Sequence, residues 1–253
     1  MNQEGGGAGA HEAAKRRGAR VAFFGGSFDP PHLGHLAVAR AARTALKLDE
    51  VLFAPVGAQP LKIEGSSASF DDRLAMTKLA IEGEPGFTIS LADAPKRGGE
   101  PNFTAETLRK VRAGLGSDAE LYCLMGADSF FGLRQWHRAA EIPFVAPLIV
   151  AWRPGESMEE LQSALPDGLR LEAEPDTTPN ESGVEVKGFW VFDAAGDCAP
   201  FYVLPGLHVE ISATEIRRRL REQDSETATA SKKSKRLLPQ AVEEYLRARG
   251  LYK

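Results

Sequence analysis

Short, unbroken apolar runs alternate with amphipathic segments along this chain. VAFFG at 21–25 precedes a helical pattern over about 33–47, and VLFAP at 51–55 precedes another over about 71–82. FTISLA (87–92), a helix from Thr104 to about Leu115, ELYCLMG (120–126), short helices across 128–141 and PLIVAW (147–152) continue the series. A strand that is apolar at every position must be covered on both faces, and strands joined through helices run parallel. The pattern therefore predicts a doubly wound α/β fold: a parallel sheet with helices on both faces. Gly25, Pro55 and Gly126 end three of the runs, which brings the loops after them to one edge, where sheets of this kind bind ligands. Two late helical segments, ISATEIR (211–217) and LLPQAVEEYL (237–246), add a small C-terminal helical part.

The first run leads directly into GGSFDPPHLGH, residues 25–35. Gly25 and Gly26 let backbone amides come close to a ligand, Ser27 adds a hydroxyl, and Pro30 and Pro31 stiffen the turn. His32 and His35 lie three apart at a helix start, on one face, beside the unpaired amides and positive dipole end that attract anions. Two imidazoles there suit a phosphate. The alternative is a pair of histidines that only pack or face solvent, but prolines and polar groups contribute little to a core. Zinc ligation fits less well, because a zinc helix usually carries its histidines at i and i+4 and no third ligand stands nearby.

GGSFDPPHLGH resembles the HxGH signature of the nucleotidylyltransferase superfamily, and ISATEIR is similar to its ISxTxIR motif. GADSFFGLRQWHR (126–138), Pro101 to Thr104 and LLPQAVEEYL resemble the bacterial nicotinate-nucleotide adenylyltransferases in particular. The resemblance covers about 20–153 and 204–250, with its elements in the family's order. It implies a Rossmann-like fold and the transfer of AMP from ATP to nicotinate mononucleotide, with pyrophosphate leaving and Mg²⁺ arriving with ATP. No resident metal site is expected.

The resemblance also implies roles. His32 and His35 are the catalytic pair, acting as donors to developing charge; a phosphate nucleophile is already ionised and needs no general base. Gly25, Gly26, Ser27, Phe28 and Gly34 hold ATP phosphates from one side, and Ile211, Ser212, Thr214 and Arg217 hold them from the other. Gly126 and Asp128 face the nucleotide's ribose. Lys62, Phe103, Thr104, Trp136 and His137 bind the acceptor, Trp136 stacking on the pyridine ring. Phe103 stands where the family more often has Tyr, and Leu61 where a His usually precedes Lys62. Bland readings stand beside these. Ser212 and Glu215 fit a capping box, Asp128 fits an N-cap, and an indole on an amphipathic helix usually belongs to the core.

With 253 residues and 43% apolar content, the chain can bury a large core as one domain, here placed at 20–253 behind a disordered tail at 1–19. A net charge of −4 does not advertise nucleic acid, and the basic run Lys232 to Arg236 reads as a solvated loop. Cys123 and Cys198 form neither a CxxC pair nor a disulfide framework, and no segment suits a signal peptide or a membrane span, so a cytoplasmic protein is expected. Oligomeric state stays open.

Residues at about 170–203 read as an insertion, a surface excursion in preference to a lid, with a strand at Phe189 to Phe192. Glu156 to Leu165 reads as a helix. A shorter relative, phosphopantetheine adenylyltransferase, is the runner-up. A nicotinamide-dependent dehydrogenase is disfavoured, because GGSFDP is not GxGxxG and no acidic residue ends the second strand. A nucleotide-binding regulator without catalysis would bind ATP and release no pyrophosphate.

Overall fold

The computed structural model describes residues 18–59, 65–152, 158–173, 183–205, 212–225 and 236–253. Eight strands form one sheet: β1 (Arg20–Gly26), β2 (Glu50–Pro55), β3 (Phe87–Ile89), β4 (Glu120–Gly126), β5 (Leu148–Ala151), β6 (Arg170–Ala173), β7 (Lys187–Phe192) and β8 (Cys198–Leu204). Their order is β3-β2-β1-β4-β5-β8-β7-β6. The six strands from β3 to β8 pair in parallel, and β7 and β6 extend the sheet antiparallel. The chain winds outward from β1 to β2 and β3, then crosses back to β4 on the other side. The β1/β4 boundary is thus the switch point, where a crevice opens beyond the strand ends.

Side-chain alternation divides β1 between two cores. Val21 and Phe23 face one sheet surface with Leu121 and Cys123, while Ala22 and Phe24 face the other with Phe53 and Leu124. Each fully buried residue of this size stabilises the fold by roughly 1.5–3 kcal/mol, which is why these runs tolerate no polar break. The helices are α1 (Leu33–Ala45), α2 (Phe70–Ile81), α3 (Thr104–Gly114), α4 (Ala127–Phe131), α5 (Ile142–Val145), α6 (Met158–Ala164), α7 (Ala213–Ser225) and α8 (Gln240–Arg249). Ser69 starts α2 by accepting from Asp72 N at 3.1 Å, with Asp71 and Asp72 in the positive first turn. Met76 and Ala80 of α2 meet Ile216 of α7 and Val242 and Leu246 of α8 in a third, smaller core. Among the described residues, no helix is long and apolar enough to cross a membrane.

Two expectations need correction. The stretch at about 170–203 is not a surface excursion: it supplies β6, β7 and most of β8, and Val191 and Phe201 are wholly buried. Pro200 and a short polar turn disguise the hairpin in the sequence. In that turn the Asp193 carboxylate accepts from Ala195 N and Asp197 N, both at 2.9 Å. Cys198 opens β8 and is exposed. At the other end, Ala19, placed in the expected tail, already belongs to the fold, its carbonyl accepting from Glu120 N at 2.8 Å; residues 1–17 lie outside the described residues.

Candidate active site

The β1/β4 crevice widens into a cavity of about 800 Å³. One wall is the loop from Gly25 to His35. Phe28 takes a left-handed backbone (φ 47°), and its buried ring packs edge-on to Phe24 at 5.6 Å and beside Phe53 at 5.6 Å. That packing holds the turn against the local preference of the backbone. Carbonyls along the loop are engaged by protein donors. Gly26 O accepts from Val56 N at 2.9 Å, Ser27 O from Arg73 Nη1 at 2.7 Å, and Asp29 O from Arg217 Nη1 at 2.6 Å. Ser27 Oγ donates to Gln59 Oε1 at 3.0 Å. At Gly25 a Cβ would sit 2.9 Å from the Phe23 ring, so only glycine fits there without a shift.

His32 occupies the N-cap position of α1 and His35 its third residue. Their rings stack, with centroids 3.7 Å apart, and His35 also meets the Phe28 ring edge-on at 4.9 Å. The His32 backbone N–H donates to His35 Nδ1 at 3.1 Å. His32 Nδ1 is buried without a partner among the described residues. Burial pulls the His32 pKa down to about 4, and it holds His35 well below its ordinary value, helped by the adjacent His32. Both imidazoles are therefore neutral donors at neutral pH.

Opposite this loop, Ser212 caps α7 by accepting from Glu215 N at 3.1 Å. The Glu215 carboxylate pairs with Arg218 and Arg219, so only half of the expected capping box forms and those two arginines sit on the outer face. Arg217 turns the other way, donating to Thr214 Oγ1 at 3.2 Å and to the Asp29 carbonyl. That contact joins two sequence motifs 188 positions apart.

The remaining walls carry the other expected positions. Gly126 is the N-cap of α4, so Asp128 stands inside the helix's first turn and not at the cap. Trp136 is half-buried, ends a 3-10 turn at Leu133–Gln135, packs in part against the core and also lines the cavity. His137 is exposed, and its ring lies 4.5 Å from Phe103, which precedes Thr104 at the start of α3. The cavity touches every expected site residue that is described: Gly25, Gly26, Ser27, Phe28, His32, Gly34, His35, Phe103, Thr104, Gly126, Asp128, Trp136, His137, Ser212, Thr214 and Arg217. Lys62 and Ile211 lie outside the described residues, as do Lys232 and Lys233. Among the described residues, no three His, Cys, Asp or Glu side chains cluster as cation ligands do.

Several residues with work at this site were not singled out from sequence. Arg73 is buried and also donates to Val56 O at 2.8 Å and Ala68 O at 3.3 Å, tying three segments beneath the loop. Asn102, which does lie in the quoted Pro101 to Thr104 segment, bridges the loops after β2 and β3, accepting from Ala58 N at 3.3 Å and donating to Ala94 O at 3.2 Å. Asp93 lines the cavity floor and accepts from the Thr107 hydroxyl; burial raises its pKa. The same environment, with the Asp93 charge added, pushes the Cys123 thiol up to about 12, so it stays an inert core group. Asp29 stood inside the quoted motif, where its place between Phe28 and two prolines was the available signal. Nothing local distinguishes Arg73 from any helix-surface arginine.

Residues 23–219 match the cytidylyltransferase-like family. A protein of Trichlorobacter lovleyi named "probable nicotinate-nucleotide adenylyltransferase" is 33% identical over 233 residues, covering 92% of this chain and 99% of its own. Its namesake from Gloeobacter violaceus is 34% identical over 235 residues, covering 93% and 97%. Among solved structures, Plasmodium falciparum nicotinic acid mononucleotide adenylyltransferase complexed with NaAD superposes with a TM-score of 0.60 at 15% identity, over 92% of this chain and 97% of that one, a likeness of fold. The gathering of GGSFDPPHLGH and the ISATEIR helix on the switch-point cavity and the 33–34% identity over nearly the whole of these relatives lead to one conclusion: the chain belongs to the cytidylyltransferase-like family, among the nicotinate-nucleotide adenylyltransferases.

Proposed function

We propose that this nucleotidyltransferase joins AMP from MgATP to nicotinate mononucleotide, giving nicotinate adenine dinucleotide and pyrophosphate. The observation that carries the reading is the Arg217 guanidinium bound to the Asp29 carbonyl at 2.6 Å, which faces the two phosphate motifs across one cavity. An oxygen of the acceptor's phosphate attacks the α-phosphorus in line. The bond to the bridging oxygen breaks, and pyrophosphate leaves with the electron pair. The protein positions the reactants and stabilises charge moving toward the leaving group. His35 is set up as a donor, because its Nδ1 accepts from the backbone and its proton must reside on Nε2. Thr214, Arg217 and the first-turn amides of α7 hold the far phosphates. Asp128 receives the ribose hydroxyls, and Phe103, Thr104, Trp136 and His137 form the acceptor end of the same cavity.

Magnesium enters as part of the MgATP substrate, coordinated by phosphate oxygens and water. The two unpaired cysteines, one buried and one exposed, favour a reducing compartment, and we place the protein in the cytoplasm. Pyrophosphate release from MgATP with nicotinate mononucleotide tests the reading. Turnover should appear with that acceptor and vanish in excess chelator; no turnover with any pyridine mononucleotide would overturn it.

A further inference from the structure

Behind the phosphate loop, residues from distant parts of the chain meet on Asp29. Tyr252 reaches across 223 positions to donate its hydroxyl to Asp29 Oδ1 at 2.6 Å. The same carboxylate accepts from Ser67 N at 2.7 Å and Ala68 N at 3.1 Å. Arg217, bound to the Asp29 carbonyl, stands only 3.9 Å from Asp29 Oδ2. One residue thus offers its carbonyl to Arg217 and its carboxylate to three other donors.

The chain bends sharply to place Tyr252. Gly250 ends α8 in a left-handed conformation (φ 61°), and Tyr252 itself takes φ 64°. A bulky residue rarely adopts that region unless its surroundings hold it there. Tyr245 and Arg249 moor α8 by binding Asp72 Oδ1 at 2.9 and 3.2 Å. Burial and the Asp29 charge keep the Tyr252 hydroxyl protonated, so it is a steady donor.

We propose that Tyr252 is a positioning residue for the triphosphate, a role that rests on the adenylyltransferase reading above. By occupying Asp29 Oδ1, its hydroxyl keeps the carboxylate from turning onto Arg217. The guanidinium then stays presented to the phosphates. Among the described residues that line the cavity, Arg217 is the sole lysine or arginine. Drawing it from this loose 3.9 Å ion pair into direct contact with the buried Asp29 would further neutralise the positive charge of that wall. Only a small rotation separates 3.9 Å from direct contact, and a poorly solvated pair of this kind attracts strongly.

Calorimetric titration of the full chain with MgATP alone, and separately with nicotinate mononucleotide alone, tests this in wild type and Tyr252→Phe, which removes the hydroxyl and keeps the ring. The variant should bind MgATP roughly tenfold more weakly, equivalent to about 1.4 kcal/mol, with acceptor affinity unchanged. In Tyr252→Phe combined with Asp29→Asn, the neutral amide no longer attracts the guanidinium as an ion, and part of the lost MgATP affinity should return. If Tyr252→Phe is too unstable to titrate in plain buffer, both proteins are titrated in a stabilising osmolyte such as sucrose, where the roughly tenfold difference should persist. Unchanged MgATP affinity, parallel loss of both ligands, or further MgATP loss in the double variant would each overturn the positioning role. Wild type that binds no MgATP would overturn the adenylyltransferase reading and this role with it, whereas wild type that binds it beside an undiminished Tyr252→Phe overturns this role alone.

Discussion

The His32 backbone N–H donates to His35 Nδ1 at 3.1 Å while the two rings stack 3.7 Å apart. A single contact therefore fixes the tautomer of His35 and leaves its remaining proton on Nε2. The chain's own backbone thus orients the ring, and under the proposed role no cost of orienting it would be met during the reaction.

His35→Ala and His32→Ala should each lower kcat on the order of a hundredfold or more, the usual effect of losing one donor to developing charge. Melting temperature should move little by comparison. Parallel falls in stability and activity would assign the pair a structural role. Ser212→Ala should be milder, since the neighbouring amides of α7 remain.

Stability should fall on acidification through the histidine range. Both imidazoles have folded pKa values below the ordinary 6.5, His32 near 4. Below about pH 6.5 the unfolded chain gains protons that the folded chain refuses, so folding weakens. For His32 the loss ends near pH 4, where the folded form also protonates. Each histidine contributes a slope of up to about 1.4 kcal/mol per pH unit. Denaturant melts from pH 7 to 5 check this, and His32→Gln should flatten the dependence.

The acceptor should be the acid in preference to the amide. Thr104 opens α3 on the same cavity as Trp136, and the first-turn amides and the hydroxyl suit a carboxylate. Nicotinamide mononucleotide would set an NH₂ against those donors, a mismatch of roughly 1–3 kcal/mol per buried group, or about ten- to a hundredfold in kcat/KM. Matched assays at one ATP concentration decide it, and Thr104→Val should shrink the ratio.

Arg73→Met should unfold more easily by about 3 kcal/mol or more, because it strands the carbonyls of Ser27, Val56 and Ala68. A lower denaturant midpoint with an unchanged m-value would show the loss. Turnover should fall with it, since Ser27 loses its tether.

Phe201→Ala should cost about 3–5 kcal/mol as a cavity at a wholly buried ring. A cost near zero would return β8 to the periphery.

Much of the parallel sheet was legible because its strands are apolar at every position, a pattern that local sequence carries unaided. β1, β2, β4 and β5 fall within a residue or two of the expected runs. The turn and helix start of GGSFDPPHLGH were legible for a related reason: glycines, prolines and paired histidines mark them locally, although the left-handed Phe28 within the turn is held by its packing on Phe24 and Phe53. β6 to β8 were less legible, since Pro200 and the turn at Asp193 interrupt their apolar pattern.

Sequence by itself determined the strand-helix alternation, the edge on which the loops gather and the residue types able to hold phosphate. Tertiary structure alone decided the strand order, the entry of β8 beside β5, and the meeting of Asp29 with Arg217 and Tyr252 across 188 and 223 positions. The physical reason is range. Propensity, periodicity and turn chemistry act over a few residues, whereas a buried carboxylate or guanidinium finds its partners only after the sheet has closed and water has left. Arg73 shows this most plainly: an ordinary arginine on an ordinary helix becomes the support of three loops because the fold delivers three carbonyls to it.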